Sequence, residues 1–416
     1  MNSLIARRIA PVVARRSAAT PVLLLEGPRG VGKSTLLSGL AESSHVPVID
    51  LDREDYRQIA VNSPAAVVAE APPVVIDEYQ RVPALLDAIK ARLNRETRAG
   101  MFLLAGSASF DSLPRGTQAL TGRVQRVPVM PLTQTEIDGT ANNLLERAFE
   151  GDVAHTVRLV STTRVEYAER VMRGGMPLAL AHEAEADRAR WFEAHVRQSI
   201  ERDAGELRRI GRRSDLGAVL TRTVGQTASV LNVAKVASDV SPSWGTTSAY
   251  IELLESLFLV ARLPAWGVTL LPRSVEAPKI HVVDSGIGAH LLRLSAAKLS
   301  RLDPSAMTEF GHLLESFVVQ ELIRQSTWMD APVTAGYWRT RDNVEVDLVL
   351  ERHDGAVVAV EVKAGDHVQK GQVAPLRALR DRLGASFAAG LILYTGAAGY
   401  EVDDRIHVLP IERLWT

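Results

Sequence analysis

A glycine-rich stretch, GPRGVGKST at residues 27–35, constrains this chain more than any other feature of its sequence. It follows the apolar run PVLLLE and precedes the helix-like run LLSGLAES, which is the strand–loop–helix setting of a phosphate-binding P-loop. Backbone N–H groups of such a loop point at phosphate oxygens, and the amino terminus of the helix adds partial positive charge. The alternative is a glycine-rich turn with a surface lysine. The pattern predicts a nucleoside triphosphate site formed by Gly27, Pro28, Arg29, Gly30, Val31, Gly32, Lys33, Ser34 and Thr35.

Within this loop Lys33 is expected to reach the β- and γ-phosphates, and the Ser34 hydroxyl to bind Mg²⁺. The segment PPVVIDEYQ at 72–80 supplies the second half of such a site, because an unbroken apolar run typical of a buried parallel strand ends in Asp77 and Glu78. Ligands bind beyond the carboxyl ends of these strands. We therefore expect Asp77 to bind the metal and Glu78 to act as general base, the alternative being a helix cap.

A third apolar run, MFLLAGSAS at 101–109, ends in two serines, Ser107 and Ser109. A polar side chain at this place could orient the attacking water or sense the γ-phosphate, and we assign this role to Ser107. A serine-rich turn without such a role is the alternative.

Composition sets limits on the partners and the compartment. A chain of 416 residues is long enough for two to four domains, and its net charge of −1 gives no general attraction for nucleic acid. Cysteine is absent, which excludes disulfides and thiolate zinc sites and fits a reducing compartment. No signal peptide and no membrane span are expected, so the sequence predicts a soluble cytoplasmic protein without a membrane partner.

Four regions follow one another along the chain. Residues 1–135 alternate strand and helix signals, with strands expected at 22–26, 47–51, 73–77, 101–106 and 124–129. This alternation is typical of an α/β domain with a parallel sheet. Residues 136–205 read as mostly helical, with a break at Gly174-Gly175.

Residues 206–270 contain three helical patterns joined by short turns, and Asn232 is a plausible cap of the second helix. This is the outline of a winged helix-turn-helix, whose third helix would lie in the major groove of DNA. However, residues 241–259 contain no Lys or Arg, and phosphate contacts need cations. A small packing or protein-contact domain is the alternative.

The last region, 271–416, contains a second group of chemically suggestive residues. Asp354-Gly355 predicts a hairpin turn, and Asp347 precedes it while Glu361 and Lys363 follow it. Glu361 and Lys363 share a strand face because side chains alternate with period two. Two carboxylates beside a lysine suit a hard cation and a phosphate or an activated water. We expect Asp347 and Glu361 to bind a metal together with a carboxylate from the preceding helix, either Glu315 or, as second choice, Glu321.

The chain resembles a large group of uncharacterised bacterial and archaeal ATPases. These join an AAA-type P-loop domain, a winged helix and a carboxyl-terminal domain related to the PD-(D/E)xK nucleases. The resemblance covers nearly the whole length. It rests on GPRGVGKST, VVIDEYQRVPALL (74–86), LLAGSAS with LTGRV (120–124), LPAW (263–266), KIHVVDSGIGAHLL (279–292), FGHLLESFVVQEL (310–322), EVDLVLE (345–351) and VAVEVKAG (358–365).

The resemblance implies an AAA-type parallel-sheet domain, a helical and winged-helix middle and a restriction-endonuclease-like α/β domain at the carboxyl end. It assigns the ATPase role to residues 27–35, Asp77 and Glu78. It also matches Arg123 to an arginine that in AAA-type enzymes serves as finger or sensor, in cis or in trans, the alternative being a structural salt bridge. At Asp347, Glu361 and Lys363 three readings stay open, namely a working nuclease, a nuclease fold without catalysis, and coincidence.

Together these features predict an ATPase that uses ATP and Mg²⁺ and acts as a nucleotide-driven switch or motor on DNA. Metal-dependent DNA cleavage, with Mg²⁺ or Mn²⁺ at the carboxyl-terminal site, is part of this first hypothesis. The second is an ATP-switched regulator that binds DNA or protein and cuts nothing. A homo-oligomer is compatible with both.

Overall fold

The computed structural model describes residues 4–112, 120, 122–153, 162–207, 213–240, 242–267, 277–301 and 303–416. Its first sheet has five parallel strands in the order β2-β3-β4-β1-β5. The bounds are β1 Val22–Glu26, β2 Val48–Asp50, β3 Val74–Asp77, β4 Phe102–Gly106 and β5 Val124–Pro128. The sequence-based prediction of a parallel α/β sheet is confirmed, since the uninterrupted apolar runs of β1, β3 and β4 are buried on both faces.

Five helices accompany this sheet in the described residues up to 112. They are α1 Ala10–Ser17, α2 Lys33–Ser43, α3 Glu54–Asn62, α4 Pro64–Val68 and α5 Ala84–Arg95. The α2 helix starts directly after the glycine-rich stretch and therefore directs its amino terminus toward the carboxyl edge of the sheet. This edge is where ligands bind in open parallel sheets.

The next part of the chain is helical, as expected. Its helices are α6 Gln134–Asp138, α7 Leu144–Phe149, α8 Arg164–Arg173, α9 Pro177–Leu180, α10 Glu185–Gln198 and α11 Ala204–Leu207. A single π-helical turn, Ser199–Asp203, joins α10 to α11. Such turns change the direction in which side chains leave a helix.

A small three-stranded sheet follows, with helices before and between its strands. The elements are α12 Arg213–Val224, β6 Ser229–Val230, α13 Val233–Ser238, α14 Trp244–Ser256, β7 Val260–Leu263 and β8 Lys279–Val282. The strand order is β6-β8-β7, with antiparallel pairing. The boundary expected after residue 270 therefore does not match the sheet, because β8 lies beyond it and pairs with both earlier strands.

The carboxyl-terminal part is built on a six-stranded mixed sheet in the order β13-β14-β12-β11-β10-β9. Its helices are α15 Ser285–Leu291, α16 Ala296–Ser300, α17 Pro304–Ser326 and α18 Ala374–Leu383. Its strands are β9 Val333–Arg339, β10 Glu345–Arg352, β11 Val357–Lys363, β12 Phe387–Tyr394, β13 Tyr400–Asp403 and β14 Ile406–Pro410. The expected hairpin at Asp354-Gly355 is present, since β10 and β11 pair in antiparallel fashion on either side of it.

A cluster of buried hydrogen bonds joins these parts, and we call it the central junction. It consists of the side chains of Asp284, Glu321 and Arg324 and the backbone groups of Leu132 and Gly175. The Arg324 guanidinium donates to the carbonyls of Leu132 at 3.1 Å and Val283 at 2.6 Å. The Asp284 carboxylate accepts the Gly175 N–H at 2.7 Å, and Glu321 accepts the Gln134 N–H at 3.0 Å. The junction thus ties the end of the first domain to α8, β8 and α17.

Among the helices in the described ranges, none combines the length and the apolar character that crossing a bilayer requires.

Candidate functional site

The glycine-rich stretch forms a loop at the carboxyl edge of the first sheet, between β1 and α2. Gly30 and Gly32 have φ values of 80° and 95°, a region that L side chains rarely adopt. Gly27 is required for a different reason, since a Cβ atom there would lie 2.0 Å from the Val129 carbonyl oxygen. The loop conformation therefore depends on glycine at three of the predicted positions.

The Lys33 side chain is buried beneath this loop with 4% of its surface exposed. Its ammonium donates to the carbonyl oxygens of Gly27 at 2.8 Å and Pro28 at 2.7 Å, so it bridges the loop from inside. Burial lowers the pKa of Lys33 to about 8, while the nearby carboxylates of Glu78 and Asp77 act in the opposite direction. The Lys33 ammonium thus lies beneath the P-loop, where the negative charge of bound phosphates would balance its positive charge.

Asp77, at the end of β3, lies within hydrogen-bond reach of the Ser34 hydroxyl. Burial raises the pKa of the Asp77 carboxyl, which also accepts the Glu78 N–H at 2.9 Å. The sequence-based expectation paired the same two side chains as ligands of Mg²⁺. Their oxygens form the hard donor set that this ion prefers, and their proximity therefore fits a magnesium site.

Glu78 and Ser107 also lie together, because β3 and β4 are neighbours in the sheet. The Ser107 hydroxyl donates to the Glu78 carboxylate at 2.9 Å, and Gln80 donates to Ser107 at 3.1 Å and to Glu78. Gln80 was not singled out in the sequence, although it lies only two residues after Glu78. Ser107 and Gln80 thus hold the Glu78 carboxylate at the edge of the nucleotide site.

Two further contacts to the loop come from distant parts of the chain. Arg29 forms an ion pair with Asp203 of the π-helical turn at 3.2 Å. Arg7 donates to the Val31 carbonyl and to that of Met130, the latter at 2.7 Å. No local motif marks Arg7 or Asp203, so sequence reasoning missed both.

Arg123 lies away from this site. It immediately precedes β5 and is next to Val22 at the start of β1, whereas the loop follows the end of β1. At about 3.3 Å per strand residue, the length of β1 separates the two places by roughly 13 Å. Its guanidinium donates to Asn94 at 2.6 Å. In this arrangement Arg123 does not reach the P-loop of its own chain, and its role as finger or sensor, in cis or in trans, stays a prediction.

The structure also brings together the predicted carboxyl-terminal group. Asp347 lies on β10, and Glu361 and Lys363 lie on β11, where Leu348 pairs with Val360 and so places Asp347 opposite Glu361. The Asp347 carboxylate accepts the Val362 N–H at 2.9 Å, and Lys363 forms an ion pair with Glu361. Glu315 approaches from α17, as expected.

The cation inside this cluster is a lysine that sequence reasoning did not assign to it. The Lys279 ammonium, on β8, lies 2.6 Å from Glu345, 2.9 Å from Glu315 and 3.3 Å from Asp347. Its side chain is almost fully buried, with 1% of the residue exposed. In the described part of the chain, no three His, Asp or Glu side chains are arranged to hold a metal ion. The donor set therefore does not fit the expected metal site, since an ammonium already occupies it.

Burial, together with repulsion from Asp347, raises the pKa values of Glu315 and Glu361 to about 8. The pKa of Lys279 is raised, because the three surrounding carboxylates outweigh the effect of burial. Two ammonium groups inside the cluster, Lys279 and Lys363, therefore balance negative charge of its carboxylates. The second-choice ligand, Glu321, is elsewhere, in the central junction, where it accepts the Gln134 N–H.

Three protein families match separate parts of the chain. Residues 19–138 match an AAA domain, residues 164–298 match a domain of unknown function (DUF8612), and residues 310–414 match another (DUF4143). The first match covers β1, the P-loop, β3, β4 and β5. The amino-terminal part of the chain is therefore similar to AAA domains, whereas neither of the other two families carries a described activity.

Whole-chain relatives are similarly uncharacterised. Uncharacterized protein Rv2008c of Mycobacterium tuberculosis and Uncharacterized protein Mb2031c of Mycobacterium bovis are each 25% identical over 416 residues, covering 99% of this chain and 85% of theirs. Among solved structures, the Walker-type ATPase PABY2304 of Pyrococcus abyssi matches with a TM-score of 0.42 and 16% identity, over 70% of this chain and 96% of that one. The RuvB Holliday junction branch migration motor of Thermotoga maritima has a TM-score of 0.31 and 16% identity, over 62% and 90%.

Proposed function

We propose that this protein binds Mg²⁺-ATP at the P-loop and hydrolyses it. The observation that carries the proposal is the convergence of a buried Lys33, the Ser34–Asp77 contact and the Glu78–Ser107 contact at one edge of the parallel sheet. Lys33 would leave the carbonyls of Gly27 and Pro28 and bind the β- and γ-phosphates. A fixed cation at this place stabilises negative charge without reorganisation of water.

Ser34 and Asp77 would hold Mg²⁺, which would supply positive charge to offset the negative charge of the phosphates. Glu78 would accept the proton of the attacking water, as a general base must lie within one hydrogen bond of the proton it removes. Ser107 and Gln80 would orient the Glu78 carboxylate. Each role uses an oxygen or nitrogen atom that already points to the same edge of the sheet.

Two variants test this assignment in the full-length protein. Lys33→Ala should weaken ATP binding and lower the rate of hydrolysis by roughly 10²–10³-fold, the loss in kcat found when one positioned donor is removed. Glu78→Gln should bind ATP normally and hydrolyse it roughly 10²–10⁴-fold more slowly. Lys370→Ala, an exposed lysine far from the loop in sequence, serves as the control. Unchanged binding and turnover in Lys33→Ala would refute the assignment.

We further propose that the nucleotide state acts as a switch on the carboxyl-terminal half, in the cytoplasm and with DNA as the partner. The order α12-β6-α13-α14-β7-β8, with the sheet order β6-β8-β7, is that of a winged helix and supports this part of the proposal. The lack of Lys and Arg on α14 weighs against base readout by this helix. An ATP-switched protein-binding regulator is therefore the alternative.

DNA cleavage is a second candidate function. The order α17-β9-β10-β11-α18-β12, with acidic residues facing each other on β10 and β11, favours a relation to the PD-(D/E)xK nucleases. The Lys279 ammonium weighs against a metal at this site. Incubating the protein with Mn²⁺ and single-stranded, double-stranded or branched DNA is the test, with Asp347→Ala as the inactive variant and the exposed Asp366→Ala as its control. Cleavage lost only in Asp347→Ala supports catalysis. If the DNA stays intact throughout, cleavage is refuted and only the relation in fold to these nucleases remains.

A further inference from the structure

The two segments that flank the helix α10 along the chain contact the P-loop. Arg29 of the loop forms its ion pair with Asp203 of that turn, at 3.2 Å. A Cβ atom at Gly30 would lie 3.9 Å from both Met176 and Leu178, which precede α10. The segment of residues 176–203 thus contacts the loop near both of its ends, and we call it the wall of the nucleotide site.

Within this wall, His195 carries a polar atom that has no partner. The residue is 6% exposed, and its Nε2 atom forms no hydrogen bond with any of the described residues. The imidazole stacks on Trp191, with ring centres 4.8 Å apart and an interplanar angle of 10°. A buried ring nitrogen without a partner is costly, so its presence calls for a ligand that the protein alone does not provide.

The charged groups near His195 indicate what this ligand is. Burial lowers the pKa of His195 to about 4, and the positive charges of Arg29 and Lys33 act in the same direction. The imidazole is therefore neutral at neutral pH and offers either a donor or an acceptor at Nε2. Arg29 and Lys33 both belong to the P-loop, so an anion held by that loop is a partner to which a neutral N–H can donate without adding a third positive charge.

We propose that His195 contacts the phosphates of the bound nucleotide and donates a hydrogen bond to them through Nε2. This inference rests on the proposed function, since it assumes that the P-loop holds ATP. In this proposal α10 responds to the bound nucleotide, because the same helix leads directly into Asp203 and α11. His195 is a binding residue in this proposal, and the Trp191 ring holds it in place.

Three substitutions in the full-length protein separate hydrogen bonding from packing. His195→Phe keeps a flat ring for stacking on Trp191 but has no N–H, His195→Ala removes both, and His195→Gln keeps an amide donor on a side chain of similar reach. His290→Ala is the matched control, a half-buried histidine on α15. Thermal melting of each variant shows whether it is folded, and binding of ATP, ADP and AMP is measured by calorimetry.

We expect His195→Phe and His195→Ala to lose roughly tenfold or more in affinity for ATP and ADP, as one hydrogen bond to a charged group is removed. His195→Gln should retain most of the affinity, and His290→Ala all of it. The inference is overturned if His195→Phe binds ATP as the wild type does, or if His195→Gln loses as much as His195→Ala. Failure of the proposed function looks different, since the wild type and Lys33→Ala would then bind ATP equally poorly.

Discussion

The Lys279 ammonium is surrounded by the carboxylates of Glu315, Glu345 and Asp347, and 1% of the residue is exposed. Replacing it with methionine keeps the length of the side chain and removes the charge. Removing one partner of a buried ionic group costs about 3–5 kcal/mol, because the remaining charges are left uncompensated. We therefore expect Lys279→Met to lower the free energy of unfolding by about that amount, measured by urea denaturation.

The surface variant Lys298→Met provides the comparison and should change the free energy of unfolding by about 0.5 kcal/mol at most. Adding Asp347→Asn to Lys279→Met should restore part of the loss, since it removes one of the repelling carboxylates. If Lys279→Met were as stable as the wild type, the cluster would have another source of compensation.

At the residue scale, the sequence predicts what a short motif defines. Residues 27–35, Asp77 and Glu78 could be found because P-loop spacing and strand-end acids are local patterns. Lys279 could not be predicted, since β8 reaches the acidic residues only through the packing of separate elements. The one available signal was the scarcity of lysine, since the chain has only seven lysines. His195 carries no local signal either, because nothing near it in sequence indicates contact with the loop.

At the scale of elements, Gly174-Gly175 ends α8 and also lets another segment of the chain pack closely against it. A Cβ atom at Gly175 would lie 2.1 Å from the Leu132 carbonyl oxygen, while the Leu132 N–H donates to the Gly175 carbonyl at 2.8 Å. These contacts leave no space for a methyl group between α8 and the segment that follows β5. The sequence showed the break in the helix but not the chain that packs against it.

We predict that Gly175→Ala destabilises the protein by about 1–3 kcal/mol, the range for forcing a methyl group into a packed interior. Gly311→Ala is the matched control, because this glycine lies within α17 and a Cβ atom there would have no atom within 4 Å. Alanine at that position should be neutral or stabilising by up to about 1 kcal/mol. Thermal unfolding of both variants measures the difference, and an equal melting temperature would contradict the packing argument.

The helix α17 shows how far periodicity predicts an element. The apolar residues at 313, 314, 317, 318 and 322 recur at the spacing of one helix face, which predicts that they face the core, and all five are buried. Glu321, Arg324 and Gln325 are buried as well, because this helix is covered on several sides. A pattern of polar residues alone indicates a solvated face, and only the packing of distant segments shows that they lie inside.

At the scale of the whole molecule, the central junction gives stability a dependence on pH. Burial raises the pKa of Glu321 from 4.5 to about 7. The folded protein therefore binds more protons than the unfolded chain between these values, and the contribution to stability is present at low pH and lost as pH rises toward 7. For a single group the change is about 3 kcal/mol.

The variant Glu321→Gln keeps an oxygen that accepts the Gln134 N–H and cannot ionise. We expect the free energy of unfolding to fall between about pH 4.5 and 7 in both proteins, because Glu315 and Glu361 also have raised pKa values. The fall should be smaller in Glu321→Gln than in the wild type by about 3 kcal/mol, the share of the one missing group. Urea denaturation at several pH values measures both curves. Parallel curves for the two proteins would show that Glu321 does not cause the dependence.

The shared use of β8 limits how this chain can be divided. Its backbone completes the sheet with β6 and β7, while its first residue, Lys279, supplies the charge that balances acids on α17 and β10. A fragment beginning at α17 would therefore lack the Lys279 ammonium that balances its buried carboxylates. A fragment ending before β8 would lack a strand of the three-stranded sheet. Truncation experiments that treat the two halves as separate modules would measure the damage of the cut, so function is better assigned with point variants in the intact chain.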